Sequence, residues 1–289
     1  MSARALAVAC LAVAPVLHCA RADESARFDD EGASVAADAA VETGVFADGG
    51  AKPIEDVECA EDTKQIYVLG TDKALYRFYP DQLKFVRIGI IGCPTNGSTF
   101  SMAIDRRGIA WVEYTDGRLF AVDTGNATCK PTAFRPGQTG FSTFGMGFAR
   151  NGDGPNAGET LYAAGAGLAS IDTKTFELKF LGSLTFGRTE LTGLDTQLFA
   201  FSVGSGVIAG LNKANAATEV TYRTSAIDGM AAFAFAHWGG DFWIFTGNER
   251  SQVTRYSPSD DTSIVPITDT GMLIVGAGSS TCAPTKRPR

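Results

Sequence analysis

One pattern recurs five times along the chain, and it restricts the fold more than any other feature. "LYRFYPDQLKF" begins at Leu75, "LFAVDTGNATC" at Leu119, "LASIDTKTFELKF" at Leu168, "IAGLNKANAATEV" at Ile208 and "VTRYSPSDDTSIV" at Val253. Each is an apolar-alternating run, a turn containing Asp, Asn, Ser or Pro, and a second run, which reads as strand, turn, strand. The anchors are spaced by 44, 49, 40 and 45 residues. A period in the forties with this content is that of a propeller blade. A helical solenoid of similar period would need apolar residues at i, i+3, i+4 and i+7, and no such run occurs beyond the first twenty residues.

Two further segments precede each anchor. The nearer ones are "IYVLG" (66–70), "IAWVEY" (109–114), "TLYAAG" (160–165), "QLFAFS" (197–202) and "DFWIFT" (241–246), rich in β-branched and aromatic residues. The farther ones are small-residue strands: "FSMAID" (100–105), "FGMGFA" (144–149), "LTGLD" (191–195) and "AAFAFA" (231–236). A unit therefore holds four strands, A to D from the axis outward. The first unit lacks an A strand, while "GMLIVGAGSS" (271–280) follows the last unit with no B strand after it. Placing this final segment as A of the first blade closes the ring and removes two open sheet edges. The predicted fold is all-β: a five-bladed propeller over 59–284.

The cysteines agree with this register. Cys10 and Cys19 lie in the leader, leaving Cys59, Cys93, Cys129 and Cys282. An even number in an exported chain suggests disulfides. Cys282 follows the A strand of the composite blade and Cys59 precedes its B strand, so Cys59–Cys282 would lock the ring. Chain-entropy arguments credit such a long loop with roughly 4–5 kcal/mol. Cys93–Cys129 follows by elimination.

Residues 1–22 read as a signal peptide: Arg4, an apolar run over Ala5–Leu17, and small residues at Ala20 and Ala22. The run is too short to span a bilayer, and no other apolar run suggests a transmembrane segment. Cys19 offers an alternative, a lipid-anchored N-terminus. The expected address is extracytoplasmic, either secreted or periplasmic, or else membrane-anchored as a lipoprotein. Residues 23–58 carry 11 acidic residues against Arg27 and Lys52, and read as a disordered acidic tether. The chain's net charge of −7 belongs to that tether, because from Cys59 onward the charges cancel. A neutral domain without a basic stripe is not expected to bind nucleic acid. Residues 285–289 form a short basic tail, read as a frayed end.

The stretches "SMAIDRRGIAWVEYTDGRLFAVD" (101–123), "FGMGFA" (144–149) and "VGAGSSTC" (275–282) resemble a group of exported or lipid-anchored bacterial β-propeller proteins of unassigned activity. The resemblance implies a propeller and an extracytoplasmic address, and it brings no catalytic motif. The Gly-His and Trp-Asp pairs of WD repeats are absent, and double glycine occurs only at Gly49-Gly50 and Gly239-Gly240.

Little catalytic chemistry is on offer. Beyond the leader the only histidine is His237, read as lying on an A–B turn, and no Gly-x-Ser-x-Gly elbow accompanies it. No Cys-x-x-Cys pair or histidine cluster suggests a metal, and no cofactor is expected. Asp105, Asp195, Glu113 and Glu190 lie at or near inner strands, where a carboxylate pair would suit a hydrolase acting on sugars or lactones. The leading expectation is non-catalytic. In this register the D–A and B–C loops share one face, offering Asn96, Asp116, Gln138, Arg188, Glu190, Asp228, Asn248, Glu249 and Arg250, with Tyr114 as an aromatic platform. Such a mouth would hold a glycan or a peptide.

Overall fold

The computed structural model describes Cys59 and residues 61–154, 157–224 and 230–288. The expected signal peptide, acidic tether and Cys19 anchor, and with them Asp228, lie outside the described residues.

Among the described residues twenty strands form five four-stranded antiparallel sheets. β1 (Ile66–Gly70), β2 (Ala74–Tyr79) and β3 (Lys84–Ile90) belong to blade 1. Blade 2 holds β4 (Thr99–Ile104), β5 (Ile109–Tyr114), β6 (Leu119–Asp123) and β7 (Cys129–Pro131). Blade 3 holds β8 (Gly145–Arg150), β9 (Glu159–Ala164), β10 (Leu168–Ile171) and β11 (Leu178–Gly182). Blade 4 holds β12 (Thr189–Leu194), β13 (Gln197–Ser202), β14 (Val207–Leu211) and β15 (Thr218–Arg223). Blade 5 holds β16 (Ala232–Trp238), β17 (Asp241–Gly247), β18 (Ser251–Ser257) and β19 (Thr262–Ile267). The final strand, β20 (Ile274–Ser279), pairs antiparallel with β1, setting Ile66 against Ser279 and Val68 against Ala277. The ring is thus closed by its own C-terminal strand, as the register required.

The repeated pattern is explained by its turn. After the C strand of blades 2, 3 and 4, Asp123, Asp172 and Asn212 each accept a backbone amide two residues on, at 2.7, 2.7 and 3.0 Å. Their carbonyls accept the amides of Ala127, Phe176 and Ala216, four residues on. Those three residues adopt left-handed backbone at φ 60, 61 and 64. One short polar side chain at the end of each C strand therefore sets the chain reversal.

Strand alternation sends successive side chains to opposite faces, and in this ring both faces meet another blade. Five apolar clusters result, one per interface between blades. In "FAFAHWGGDFWIF", Phe235, Phe242 and Ile244 pack towards blade 4, while Ala234, Trp243 and Phe245 pack towards blade 1. Trp111 likewise sits between blades 2 and 3. At the closing interface Phe78 meets Trp243 and Phe245 edge-on, with centroids 5.4 and 5.7 Å apart, and stacks on Phe85. Each such side chain contributes about 1.5–3 kcal/mol on burial, so the four aromatics together outweigh a single disulfide. The A strands approach so closely that a Cβ on Gly147 would lie 2.8 Å from the Leu191 carbonyl carbon and oxygen. On the outer strands Pro131 and Pro266 withhold ladder donors, as suits strands at a sheet edge.

Both disulfides are formed. Cys59–Cys282 spans 223 residues and joins the two chain ends on the A–B turn of blade 1; Cys93–Cys129 spans 36 and ties the exit of blade 1 to the outer strand of blade 2. Among the described residues no helix is long and apolar enough to cross a membrane, and the helical pieces are two 3₁₀ turns, Glu61–Lys64 and Gln138–Gly140.

Two expectations are corrected. His237 lies inside β16, opposite Phe242, and not on the turn. The reversal needs only Gly239 and Gly240, whose φ of 67 and 83 suits a two-residue link, so the strand runs on through Trp238. Within the basic tail Arg287 is also held in place, so the segment up to it is not frayed. Arg287 donates through Nε and Nη2 to Asp241 Oδ2 at 2.8 and 2.6 Å, and the Gly239 amide donates to the Pro284 carbonyl.

Candidate functional site

Antiparallel blades place all B–C turns and D–A loops at one end of the ring. On this loop-rich face the candidate residues have different fates. Asn96, Glu249 and Arg250 are exposed, and Arg250 is engaged by Asp269 at 2.9 Å. Asp116 is exposed and locked in a small cluster, accepting from Thr95 Oγ1 at 2.6 Å and from Arg118 Nε at 2.8 Å. Gln138 is occupied by structural work: its amide donates to the Arg135 and Phe176 carbonyls, and its oxygen accepts the Leu178 amide at 3.1 Å. Tyr114 is wholly buried between blades 1 and 2 against Phe120, and burial pushes its hydroxyl up to about 12. It offers no platform to a ligand, because the strand ends one residue later than a surface tyrosine would need.

Glu190 is not a loop residue. Pairing with β13 extends β12 back to Thr189 and carries Glu190 inside, where it is 3% exposed. Its Oε2 accepts from Ser101 Oγ at 2.9 Å and from the Met146 amide at 3.3 Å. Glu113, 0% exposed, accepts the Phe144 amide at 3.0 Å, and its Oε1 has no partner among the described residues. Burial pushes both carboxyls well above the ordinary carboxylate value. The amide bonds oppose that rise, and at Glu113 the nearby Glu190 adds to it.

Two further buried groups sit elsewhere. Burial lowers His237 to about 3; its Nε2 accepts the Gly240 amide at 3.2 Å, so the neutral ring carries its proton on Nδ1. At the opposite face Glu159 is raised to about 7, chiefly by burial. It accepts the Arg106 amide at 2.8 Å and the Thr281 hydroxyl at 2.7 Å, joining blade 3 to blade 2 and to the chain's end.

One concave feature of the loop-rich face lies over blade 4. A cavity of about 530 Å³ opens between the D–A loop at 185–188, the B–C turn at 203–206 and the outgoing segment at Arg223 and Met230. Arg188, a predicted residue, helps build it. Its Nη1 and Nη2 donate to the Met230 and Ala231 carbonyls at 3.2 and 3.0 Å, and its guanidinium lies 4.9 Å from the Phe233 ring centroid. Asn248, also predicted, accepts the Ala231 amide at 2.7 Å from the other side. The structure thus brings Arg188 and Asn248 onto one short segment, while Asp116 and Gln138 serve other loops. Sequence reasoning missed Phe186, Ser205, Arg223 and Met230. Arg223 ends a strand and does not lie in a loop, although a lone arginine closing "TEVTYR" at the loop-rich end is a usable signal.

No protein-family model matches the chain, and no curated protein matches it. Solved structures of similar trace include the extracellular domain of a hybrid two-component system from B. thetaiotaomicron, at 14% identity and TM-score 0.40, with 72% of this chain covering 27% of that one. The chain therefore spans about a quarter of the length of that solved extracellular domain. A chain of the nidogen/laminin complex aligns at 13% identity and TM-score 0.47, with coverage of 78% and 87%. A Bacteroides caccae protein of unknown function aligns at 12% identity and TM-score 0.45, with coverage of 74% and 97%. At this level of likeness the fold rests on the blade topology itself.

Proposed function

We propose that the chain is an exported, non-catalytic binding propeller whose ligand, a sugar or a peptide, enters the cavity over blade 4. The observation that carries this reading is that cavity: about 530 Å³, on the loop-rich face, lined by Arg188, Arg223 and exposed hydroxyls, with no Asp or Glu among its described lining residues. Its size falls in the range of small-molecule sites. Two disulfides support an oxidising, extracytoplasmic address, and a cleaved leader or a Cys19 lipid anchor would supply the export route.

The rival reading, hydrolysis of sugars or lactones, would use Glu113 and Glu190. Their enclosure and their bonds to the start of β8 favour a structural role, since a hydrolytic pair must reach substrate and water. The test is a glycan and peptide array probed with the full chain and with Arg188→Ala. Binding that the variant loses supports the proposal. Silence on both arrays, or turnover of a glycoside that Glu190→Gln abolishes, overturns it.

A further inference from the structure

We infer that the cavity over blade 4 takes a sugar bearing a carboxylate, such as a uronate, with Arg188 and Arg223 receiving the acid group. This rests on the binding reading above and names the ligand's chemistry.

The described charge at the cavity mouth is positive. Both arginines line the cavity and are exposed, neither forms a salt bridge among the described residues, and the carboxyl that Arg188 acts on is the buried Glu190, whose own value burial raises. On the same face Arg118 and Arg250 pair with Asp116 and Asp269, whereas Arg188 and Arg223 are two such cations that line one cavity. Arg188 is also fixed in place. Its two carbonyl bonds take two of the five N–H donors of a guanidinium. The Phe233 ring lies beside it, so the remaining donors are held in a set orientation at little entropic cost. Arg223, at the end of β15, has its backbone placed by pairing with Val207, another lining residue. A planar carboxylate matches such a fork with two parallel bonds.

The rest of the lining fits a pyranose. Ser205 and Thr185 offer hydroxyls to a ring's own hydroxyls, and Phe186 and Met230 offer apolar surface to its C–H face.

The experiment is calorimetric titration of the full chain with galacturonate, its trimer, galactose and an acidic peptide, at low and at raised salt. Galacturonate or its trimer should bind at least about tenfold more tightly than galactose, and more weakly as salt rises. The monomer arm separates a free acidic sugar from the end of a polymer. Arg223→Ala should weaken uronate binding about tenfold or more without moving Tm, and Arg223→Lys should fall between, because lysine keeps the charge and loses the fork. Arg188→Ala should weaken binding and also loosen the 230–231 segment. Galactose binding as tightly as galacturonate, uronate affinity unmoved by Arg223→Ala, or binding confined to the acidic peptide would each overturn the inference. Neutral glycans bound in an Arg188-dependent way would defeat this assignment and leave the broader binding reading standing.

Discussion

Ser101 and Glu190 meet at 2.9 Å although their strands belong to blades that are not neighbours in the ring. Glu190 reaches from blade 4 across the inner edge of blade 3, taking the Met146 amide on the way. Two residues earlier, the Phe144 amide goes to Glu113 of blade 2. The start of β8 is therefore held by two buried carboxyl groups, one from each flanking blade.

Both carboxyls have folded-state values raised by burial. A carboxyl raised above its unfolded value stabilises the fold most at low pH, and that contribution fades as pH climbs through the folded value. Glu190→Gln keeps an acceptor for Ser101 and removes the charge. Its Tm should equal or exceed that of the parent at pH 7, and the gap should widen between pH 5 and 8. A variant that melts lower at pH 8 than at pH 5, relative to the parent, would contradict this.

Glu159 gives a narrower window. With its carboxyl raised to about 7, its contribution should be complete below about 4.5 and decline as pH rises through about 7. Glu159→Gln should flatten the parent's loss of stability over that interval, read from urea midpoints at closely spaced pH values.

His237 runs the other way. Its value is depressed to about 3 by burial, so its contribution is present above the unfolded value near 6.5 and is lost as pH falls towards 3. In nitrogen-15 spectra its ring should stay neutral between pH 5 and 8, with the proton on Nδ1. A titration midpoint near 6 would show that the ring is not enclosed.

Removing the ring clasp should weaken the fold without abolishing it. Cys59→Ser with Cys282→Ser should cost about 2–5 kcal/mol in denaturant unfolding. Far-ultraviolet circular dichroism should remain that of a folded β protein, because the aromatic burial at the closing interface persists.

Gly147→Ala should cost about 1–3 kcal/mol, through the collision of the new methyl with the Leu191 backbone. Unchanged stability would mean that the inner strands of blades 3 and 4 are less tightly packed than described.

The architecture was legible because each blade repeats the same local physics. Asp123, Asp172 and Asn212 mark the same turn, and alternation marks the strands that flank it. The closing strand and the Cys59–Cys282 pair followed from counting strands, a topological constraint that needs no knowledge of packing. The site was less legible. Nothing local distinguishes Tyr114, buried at a strand's end, from a tyrosine one residue later in the turn. Glu190 read as a loop residue because the pairing that draws it inside is with β13. The cavity joins positions 188, 205 and 223, which only the assembled ring places together.

The joined ends also fix a direction. Cys59 is fastened to Cys282 on the rim that carries the A–B turns, whereas Arg188 and Arg223 open on the far rim. Cys59, the point through which anything attached ahead of it would pull on the domain, therefore lies on the rim away from the arginine-lined recess and leaves that recess clear.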